Sequence, residues 1–246
     1  MRNLIVGFGW LAPFAAIVLW PHSALGALSV LALSHALLLY PTLRPNVQWL
    51  GPVLTRFETN AREVWLTIDD GPADDTPAIL ELLERTQTRA TFFVKGRLAQ
   101  ENPDRIRAIV RAGHTTGNHS YSHPSATFWC LPAPWIANEI DECNAVLGRQ
   151  TLFRAPVGMK NPAVHPLLSE RGMSLAGWTA RGFDSVRADP ERVAARILPR
   201  LEPGAILVLH QGRPHSLACI ERVIADVRAA GYAFAVPAAD RLKEKR

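Results

Sequence analysis

The sequence predicts an α/β protein, a distorted seven-stranded (β/α) barrel preceded by an N-terminal hydrophobic helical hairpin. Three observations support this prediction. Short apolar runs alternate with helix-like stretches along most of the chain, which is typical of βαβ units and a parallel sheet. Acidic and histidine residues follow several of the apolar runs directly, as active-site residues do at the carboxyl ends of barrel strands. Two uncharged apolar segments occupy the first 40 residues.

The two N-terminal segments, residues 4–20 and 25–40, are separated by Pro21. Each is 16–17 residues long, near the lower limit for a helix that crosses a bilayer. We expect a membrane hairpin over residues 1–40, which makes membrane lipid a partner. The alternative is a signal peptide with a cleavage region at 24–27. The second apolar segment argues against it, because a secreted soluble protein would then begin with an apolar helix.

The basic residues outside the hairpin bear on its orientation. Arg2 precedes the hairpin, and Arg44, Arg56 and Arg62 follow it. The positive-inside rule would place both ends and the folded domain in the cytoplasm. Three arginines spread over about twenty residues are a weak signal, so the face of the membrane stays open. Residues 41–57 contain three prolines and little periodicity, which predicts a linker.

The catalytic domain is predicted to span 58–246, with strands and helices in alternation. Its strands are short, apolar and bounded by turn residues. They are predicted at 64–68, 90–94, 114–118, 152–155, 174–178, 205–210 and 232–236. Several of its helices have proline in the first turn and glycine after the last. They are predicted at 76–86, 103–112, 134–147, 162–171, 190–201 and 217–230.

Composition limits the classes of function. The apolar fraction of 48% is sufficient for a core, and 20% charged residues argue against disorder. The net charge is +5, without a long basic run or an aromatic RNA-binding signature, so we expect no nucleic-acid partner. The three cysteines form no close-spaced metal motif.

Two adjacent carboxylates, Asp69 and Asp70, directly follow the first predicted strand, and Gly71 and Pro72 come next as a turn signal. Neighbouring side chains on an extended backbone point in different directions. We therefore expect the two aspartates to have different roles.

Asp70, His119 and His123 are the predicted metal ligands. The two histidines are four residues apart and can reach one ion if their segment is helical or tightly turned. An H-x-x-x-H pair alone is often accidental, but here Asp69 and Asp70 precede it and His210 ends a later apolar run. Two imidazoles and one carboxylate leave positions open for water and substrate. Zn²⁺ is the expected ion, and Co²⁺, Ni²⁺ and Mn²⁺ remain alternatives.

Five segments in order resemble the motifs of the polysaccharide deacetylases, the carbohydrate esterase family 4 with a NodB-homology domain. They are TIDDGP at 67–72, HSYSH at 119–123, RAPVG at 154–158, WTARGFD at 178–184 and LVLH at 207–210. The resemblance covers roughly 58–237. It departs from the family at Arg181, where the family has aspartate, and at Ser185, where it has tryptophan.

The resemblance implies a role for each motif residue. Asp69 would be the general base, and His210 the general acid. The backbone N–H of Val157 would stabilise the oxyanion. Arg154 would pair with Asp69, and its alternative is a surface salt bridge of little value.

Three further residues complete the implied site. Asp184 would orient His210 and keep it protonated. Trp178 and Arg181 would lie on the substrate side. Arg181 suits a phosphate or carboxylate on the substrate, and its alternative is an exposed arginine without function.

The resemblance therefore implies a metal-dependent hydrolase in the bacterial inner membrane. Its substrate would be an N-acylated glycan, and it would remove the N-acyl group, most simply acetyl, from an amino sugar. One alternative is deacylation of a lipid-linked, polyprenyl-phosphate amino sugar. The other is a catalytically silent carbohydrate-binding module.

Overall fold

The computed structural model describes residues 1–186 and 189–242. The helices are α1 Arg2–Leu19, α2 Ala24–Leu43, α3 Thr76–Arg85, α4 Gly96–Glu101, α5 Pro103–Arg111, α6 Ala133–Leu147, α7 Val164–Glu170, α8 Pro190–Ile197 and α9 Ser216–Ala229. The strands are β1 Glu63–Gly71, β2 Ala90–Val94, β3 Thr115–Asn118, β4 Leu152–Phe153, β5 Ser174–Leu175, β6 Ala180–Arg181, β7 Ala205–His210 and β8 Ala233–Phe234.

The strands form one curled parallel sheet in the order β5-β4-β3-β2-β1-β7-β6. β8 pairs with the start of β1, before the point at which β2 begins to pair with it. Helices connect the successive strands from β1 to β5 and from β6 to β8, as parallel pairing requires. The predicted α/β class, the barrel and the two N-terminal helices are confirmed.

The barrel is distorted because β5 and β6, the two ends of the strand order, are joined through an irregular segment. The Leu54 N–H donates a hydrogen bond to the carbonyl of Leu175 at 2.8 Å. The Phe57 N–H donates to the carbonyl of Gly204 at 2.9 Å, just before β7. Residues 53–57 therefore span the gap between the two ends of the sheet.

Alternate residues of β1 face two different environments. Val64, Leu66 and Ile68 pack against the helices in the largest hydrophobic cluster. Trp65 belongs to a second cluster on the other face of the strand. Because side chains alternate along a strand, Asp69 shares this second, inward face. The strand thus places the carboxylate of Asp69 in the interior of the barrel.

The N-terminal helices α1 and α2 pack against each other as a hairpin. Ser23 caps α2, and its side chain accepts a hydrogen bond from the Gly26 N–H at 3.0 Å. Both helices are long and apolar enough to cross a membrane, although a signal sequence would satisfy the same criteria. Large apolar side chains such as Trp10, Phe14 and Ile17 are exposed on α1. The hairpin therefore presents a wide apolar surface.

The predicted linker packs against the barrel. Leu50, Leu54 and Phe57 are all buried. The boundary at residue 58 stays a prediction, and the end of the predicted domain, 243–246, lies outside the described residues.

Two elements were not predicted, α4 and the two-residue strand β6. α4 is six residues long, too short for an amphipathic pattern to develop. β6 consists of Ala180 and Arg181, and an arginine in a two-residue strand provides no apolar run. Both are held by tertiary contacts, in the case of β6 by pairing with β7.

Candidate active site

The predicted site residues surround one open pocket of about 290 Å³ at the carboxyl ends of the strands. The residues that line it include Asp69, Asp70, His119, His123, Val157, Trp178, Arg181 and His210. Arg154 and Asp184 lie behind them, each hydrogen-bonded to a residue of the lining. The structure thus brings together all ten residues singled out from the sequence.

A β-bulge at the end of β1 brings both aspartates to the same imidazole. The register with β2 shifts between Asp69 and Gly71, and Asp70 has φ of 77°. A bulge redirects a side chain that would otherwise point to the opposite face. As a result, Asp69 Oδ2 and Asp70 Oδ1 lie 3.9 Å and 3.7 Å from His119 Nε2. No pattern in the sequence predicted this bulge.

The histidine segment is tightly turned. Ser120 and His123 have positive φ, 62° and 55°. Side chains stabilise the turn: the Ser120 N–H donates to Asn118 Oδ1, and the His123 N–H donates to Ser120 Oγ. The spacing of four residues therefore brings the two imidazoles together through a loop.

Asp70, His119 and His123 offer one ligand atom each within 4.8 Å of one another. The two Nε2 atoms are 3.1 Å apart, and Asp70 Oδ1 lies 3.5 Å from His123 Nε2. Two nitrogens bound to a tetrahedral zinc are about 3.3 Å apart, since each Zn–N bond is about 2.0–2.1 Å long. The separations therefore fit a shared divalent ion.

The protonation of the histidines also fits a bound ion. His119 Nδ1–H donates to the Arg154 carbonyl at 2.8 Å, which leaves the Nε2 lone pair facing the pocket. Burial lowers the pKa of His119 to about 4 and that of His123 to about 3. Both rings are then neutral at physiological pH, with their Nε2 atoms in contact. Neutral imidazoles are the form in which histidine binds a metal ion.

Asp70 supplies the negative charge of the ligand set. Burial opposes its ionisation, but the electrostatic interactions with His119 and Lys95 outweigh burial and hold the pKa of Asp70 below its usual range. Lys95 Nζ lies 2.8 Å from Asp70 Oδ1. Lys95 precedes α4 and was not predicted as a site residue, because a lysine after an apolar strand has no distinctive sequence pattern.

Asp69 is paired with Arg154 in the barrel interior. Arg154 Nη1 donates to Asp69 Oδ1 and to Thr67 Oγ1, each at 2.7 Å, and Nη2 donates to the Gly177 carbonyl at 2.8 Å. Arg154 is only 1% exposed, so the alternative of a surface salt bridge is wrong. Burial raises the pKa of Asp69, although the charge of Arg154 opposes the rise.

His210 is adjacent to Asp69 in the β1–β7 register. Its Nδ1–H donates to Asp184 Oδ1 at 2.9 Å, and its backbone N–H donates to Asp184 Oδ2 at 2.6 Å. Burial opposes the charged imidazole, but the hydrogen bond and charge of Asp184 outweigh it, so the pKa of His210 is raised.

Val157 lies in a strained loop at the edge of the pocket. Its φ of 49° is unusual for a β-branched residue, and such a conformation costs about 1–3 kcal/mol. Among the described residues, no acceptor is hydrogen-bonded to its backbone N–H. The neighbouring carbonyls are occupied, because Ala155 and Pro156 accept from Gly158 and Met159.

The segment after α2 supports the same loop. Asn46 Nδ2 donates to the Trp178 carbonyl at 2.7 Å, and the Trp178 N–H donates to Asn46 Oδ1 at 3.4 Å. The buried Lys160 donates through Nζ to the carbonyls of Arg44 and Pro45 at 2.9 Å and 2.8 Å. Neither Asn46 nor Lys160 was predicted, because a long-range contact to an irregular segment leaves no sequence periodicity.

Comparison with known proteins identifies the family. The polysaccharide deacetylase family model matches residues 56–176. A chitooligosaccharide deacetylase from Bradyrhizobium sp. (strain ANU 289) is 30% identical over 194 residues, which cover 74% of this chain and 87% of that protein. The chain belongs to the polysaccharide deacetylase family.

Two further polysaccharide deacetylase relatives differ in activity. A peptidoglycan-N-acetylglucosamine deacetylase from Bacillus cereus is 28% identical, with 78% of this chain and 94% of that protein covered. The structure of a CE4 family pseudoenzyme from Bacillus anthracis has a TM-score of 0.69 and 28% identity, with 78% and 69% covered. Family membership and the named deacetylase relatives together identify the chain as a hydrolase of the polysaccharide deacetylase type, which acts on carbon–nitrogen bonds other than peptide bonds.

Proposed function

We propose that the protein is a metal-dependent N-deacetylase that acts on an amino sugar of a polysaccharide or oligosaccharide. The observation that supports this most directly is the placement of Asp69 and His210. They are neighbours in the β1–β7 register, each has its own charged partner, and both line the pocket beside the Asp–His–His set. An acid and a base on one site are what amide hydrolysis requires.

Asp70, His119 and His123 would hold the divalent ion, with zinc the first choice for two nitrogens and one oxygen. When bound, the ion would polarise the acyl carbonyl and lower the pKa of a water molecule.

Asp69 would take the proton of the attacking water. Arg154 holds one carboxylate oxygen at 2.7 Å, which fixes the orientation of the other oxygen, Oδ2. The raised pKa of Asp69 increases its strength as a base. Its burial also excludes bulk water, which would otherwise compete for the carboxylate.

The Val157 N–H would donate a hydrogen bond to the oxyanion that develops on the acyl carbonyl. It lines the pocket in a fixed turn and has no competing acceptor among the described residues. A preorganised donor of this kind stabilises charge without reorganisation. Trp178 borders the same loop, and an added Cβ at Gly158 would lie 2.5 Å from its ring.

His210 would give its proton to the departing nitrogen as the carbon–nitrogen bond breaks. Asp184 holds Nδ1–H, so Nε2–H is the free donor. The products are a free amine on the sugar and a carboxylate, acetate if the acyl group is acetyl. Asp69 then returns its proton to solvent and His210 regains one from solvent, which restores the starting protonation of both residues.

Acetate release tests the proposal. Full-length protein in detergent, loaded with zinc, is expected to release acetate from N-acetylated chito-oligosaccharide or peptidoglycan fragments. The D69N variant is expected to release none above background. Absence of release from every N-acetylated glycan by zinc-loaded wild-type protein would favour the silent carbohydrate-binding module instead.

We also propose that the hairpin anchors the enzyme in the bacterial inner membrane. The exposed apolar side chains of α1 and α2 support this. Two measurements separate an anchor from a signal sequence: intact mass of the protein recovered from membranes, and resistance of its membrane association to alkaline carbonate. An anchored enzyme retains residues 1–40 and stays in the pellet, whereas cleavage near residue 27 would contradict the anchor.

A lipid-linked amino sugar is the second candidate substrate. A groove of about 470 Å³ separates the hairpin from the barrel, with Val6, Gly9 and Leu38 on one side and Leu131 and Ala163 on the other. A hydrocarbon chain held there would lie next to the loop that follows Val157 in the chain.

A groove-filling variant tests this substrate. An added Cβ at Gly9 meets no atom within 4 Å, so the variant G9F starts its side chain in open space. G7F is the matched control, because Gly7 is equally open but does not line the groove. G9F is expected to lower turnover of a polyprenyl-phosphate-linked amino sugar relative to a soluble glycan, and G7F is not. Equal ratios in the two variants would count against a lipid chain in the groove.

A further inference from the structure

Arg181 is a cation of the active-site pocket without an anionic partner. It lies on β6, opposite Val208 of β7, and both residues line the pocket. Its Nε is buried without a hydrogen-bond partner. Within the described residues, the guanidinium makes neither a hydrogen bond nor an ion pair. Its observed neighbours are the rings of Phe183 and Trp178, whose centroids are 4.2 Å and 5.2 Å from its Cζ.

The carboxylates of the site are already engaged by other residues. Asp69 pairs with Arg154, Asp70 with Lys95 and Asp184 with His210. Arg181 experiences the fields of Asp184 and Asp69 without contacting either carboxylate. Its charge is therefore not neutralised inside the protein.

The surroundings of Arg181 favour an external anion. Burial lowers the pKa of Arg181, which reflects the unfavourable removal of its charge from water. The rings of Trp178 and Phe183 lie against the guanidinium and restrict its movement, and this reduces the entropy lost when a ligand binds. A planar fork held in this way suits two parallel hydrogen bonds to an oxyanion.

A second arginine strengthens the inference. Arg213 also lines the pocket, and none of the ion pairs among the described residues includes its side chain. A neutral N-acetylglucosamine chain has no group that could pair with either guanidinium. Two cations match a phosphate, whose charge exceeds that of a single carboxylate.

We propose that Arg181, with Arg213, forms a subsite for a phosphate group attached to the amino sugar, so that the enzyme prefers a phosphorylated substrate to a neutral glycan. This inference rests on the proposed N-deacetylase function and specifies its substrate class. The phosphate is either a soluble sugar phosphate or the linkage of the sugar to a membrane lipid. Both sources present phosphoryl oxygens to the guanidinium, the sugar phosphate as a monoester and the lipid linkage as a singly charged diester.

Paired substrates test the subsite with full-length protein in detergent. The substrates are a neutral N-acetylglucosamine glycoside, N-acetylglucosamine 1-phosphate and the same sugar on a short polyprenyl phosphate. Wild-type kcat/KM is expected to be about tenfold or more higher for a phosphorylated form than for the neutral one. R181Q is expected to lose most of this ratio, and R181K to keep part of it, because lysine retains the charge without the fork. R85Q, at an exposed ion pair with Glu221, controls for loss of one positive charge.

The outcomes separate the subsite from the activity. Preference for the soluble monoester supports the subsite without a lipid, and preference for the lipid form alone identifies the membrane source. Release from the neutral glycoside with no phosphate preference, or a preference that R181Q retains, overturns the subsite and leaves the N-deacetylase proposal intact.

A binding measurement does not depend on turnover. Calorimetry on the metal-free protein with N-acetylglucosamine 1-phosphate is expected to give about tenfold weaker binding to R181Q than to wild type or R85Q. Equal affinity of the three proteins would overturn the subsite even if no substrate were hydrolysed.

Discussion

Asp184 contacts His210 at two points, accepting one hydrogen bond from the imidazole Nδ1–H and one from the backbone N–H of the same residue. The carboxylate therefore fixes the ring and the strand end that bears it. Asp184 is 2% exposed, so its charge acts on His210 with little screening by solvent. This contact sets both the orientation and the proton affinity of the proposed general acid.

Replacing Asp184 with asparagine is expected to move the basic limb of the pH profile. A general acid must be protonated, so activity is present below the raised pKa of His210 and declines as the pH rises through it. D184N removes the charge that raises this pKa, so the limb of kcat/KM moves to lower pH. Near neutral pH we expect a loss of about tenfold or more. A profile from pH 5 to 10 for both proteins measures the shift, and an unchanged basic limb would exclude His210 as the titrating acid.

Replacing Asp69 with asparagine is expected to abolish turnover without releasing the metal. The amide is nearly isosteric but cannot accept the proton of water, and general-base catalysis contributes about 100-fold or more. Acetate release and metal content by mass spectrometry are the two readouts. D74N is the matched control, because Asp74 is exposed and pairs with Arg105 at the surface. Residual turnover close to that of D74N would mean that another group is the base.

The sequence predicted the strands that bear the catalytic groups better than the loops between them. The observed bounds of β2 and β7 agree with the bounds predicted from the apolar runs, because buried parallel strands are continuously apolar. β4 and β5 are shorter than predicted, with two residues each. The apolar residues that follow each of these strands lie in turns that support the site. Where such a strand ends depends on tertiary contacts, which the local sequence does not encode.

The site residues could be named from motifs, but their geometry depends on features without a pattern. The bulge at Asp70, the left-handed Val157 and the buried position of Arg154 arise from contacts distant in sequence. Asn46 lies in a segment predicted as a linker, yet it is hydrogen-bonded to Trp178 across 132 residues of chain. Such contacts form only when the barrel closes, and a short stretch of sequence does not predict them.

Zinc is expected to stabilise the protein through Asp70, His119 and His123. An ion that binds only the folded state adds about 2.7 kcal/mol at a concentration 100 times its dissociation constant. The melting temperature of metal-free protein should therefore rise on titration with zinc, and H123A should show a much smaller rise. H22A is the control, since His22 is exposed in the hairpin turn. If H123A and wild type respond equally, the zinc binds elsewhere.

Replacing Asn46 with alanine tests whether the segment after the hairpin positions the catalytic groups. Asn46 is hydrogen-bonded to both the N–H and the carbonyl of Trp178. The carbonyl of the preceding residue, Gly177, accepts a hydrogen bond from Arg154, which is the partner of Asp69. Loss of the side chain leaves the Trp178 carbonyl unpaired, which costs about 1–3 kcal/mol of stability.

In N46A the Gly177 carbonyl that accepts from Arg154 is held less firmly, so Arg154 orients Asp69 less well. We therefore expect kcat to fall by about tenfold while KM for the glycan changes little. N60A, at an exposed asparagine of the same segment, is the control. A purely structural role would lower the melting temperature of N46A but leave kcat of the folded fraction equal to that of N60A. A reduced kcat at a temperature where N46A is fully folded would show that residues preceding the matched region 56–176 belong to the catalytic unit.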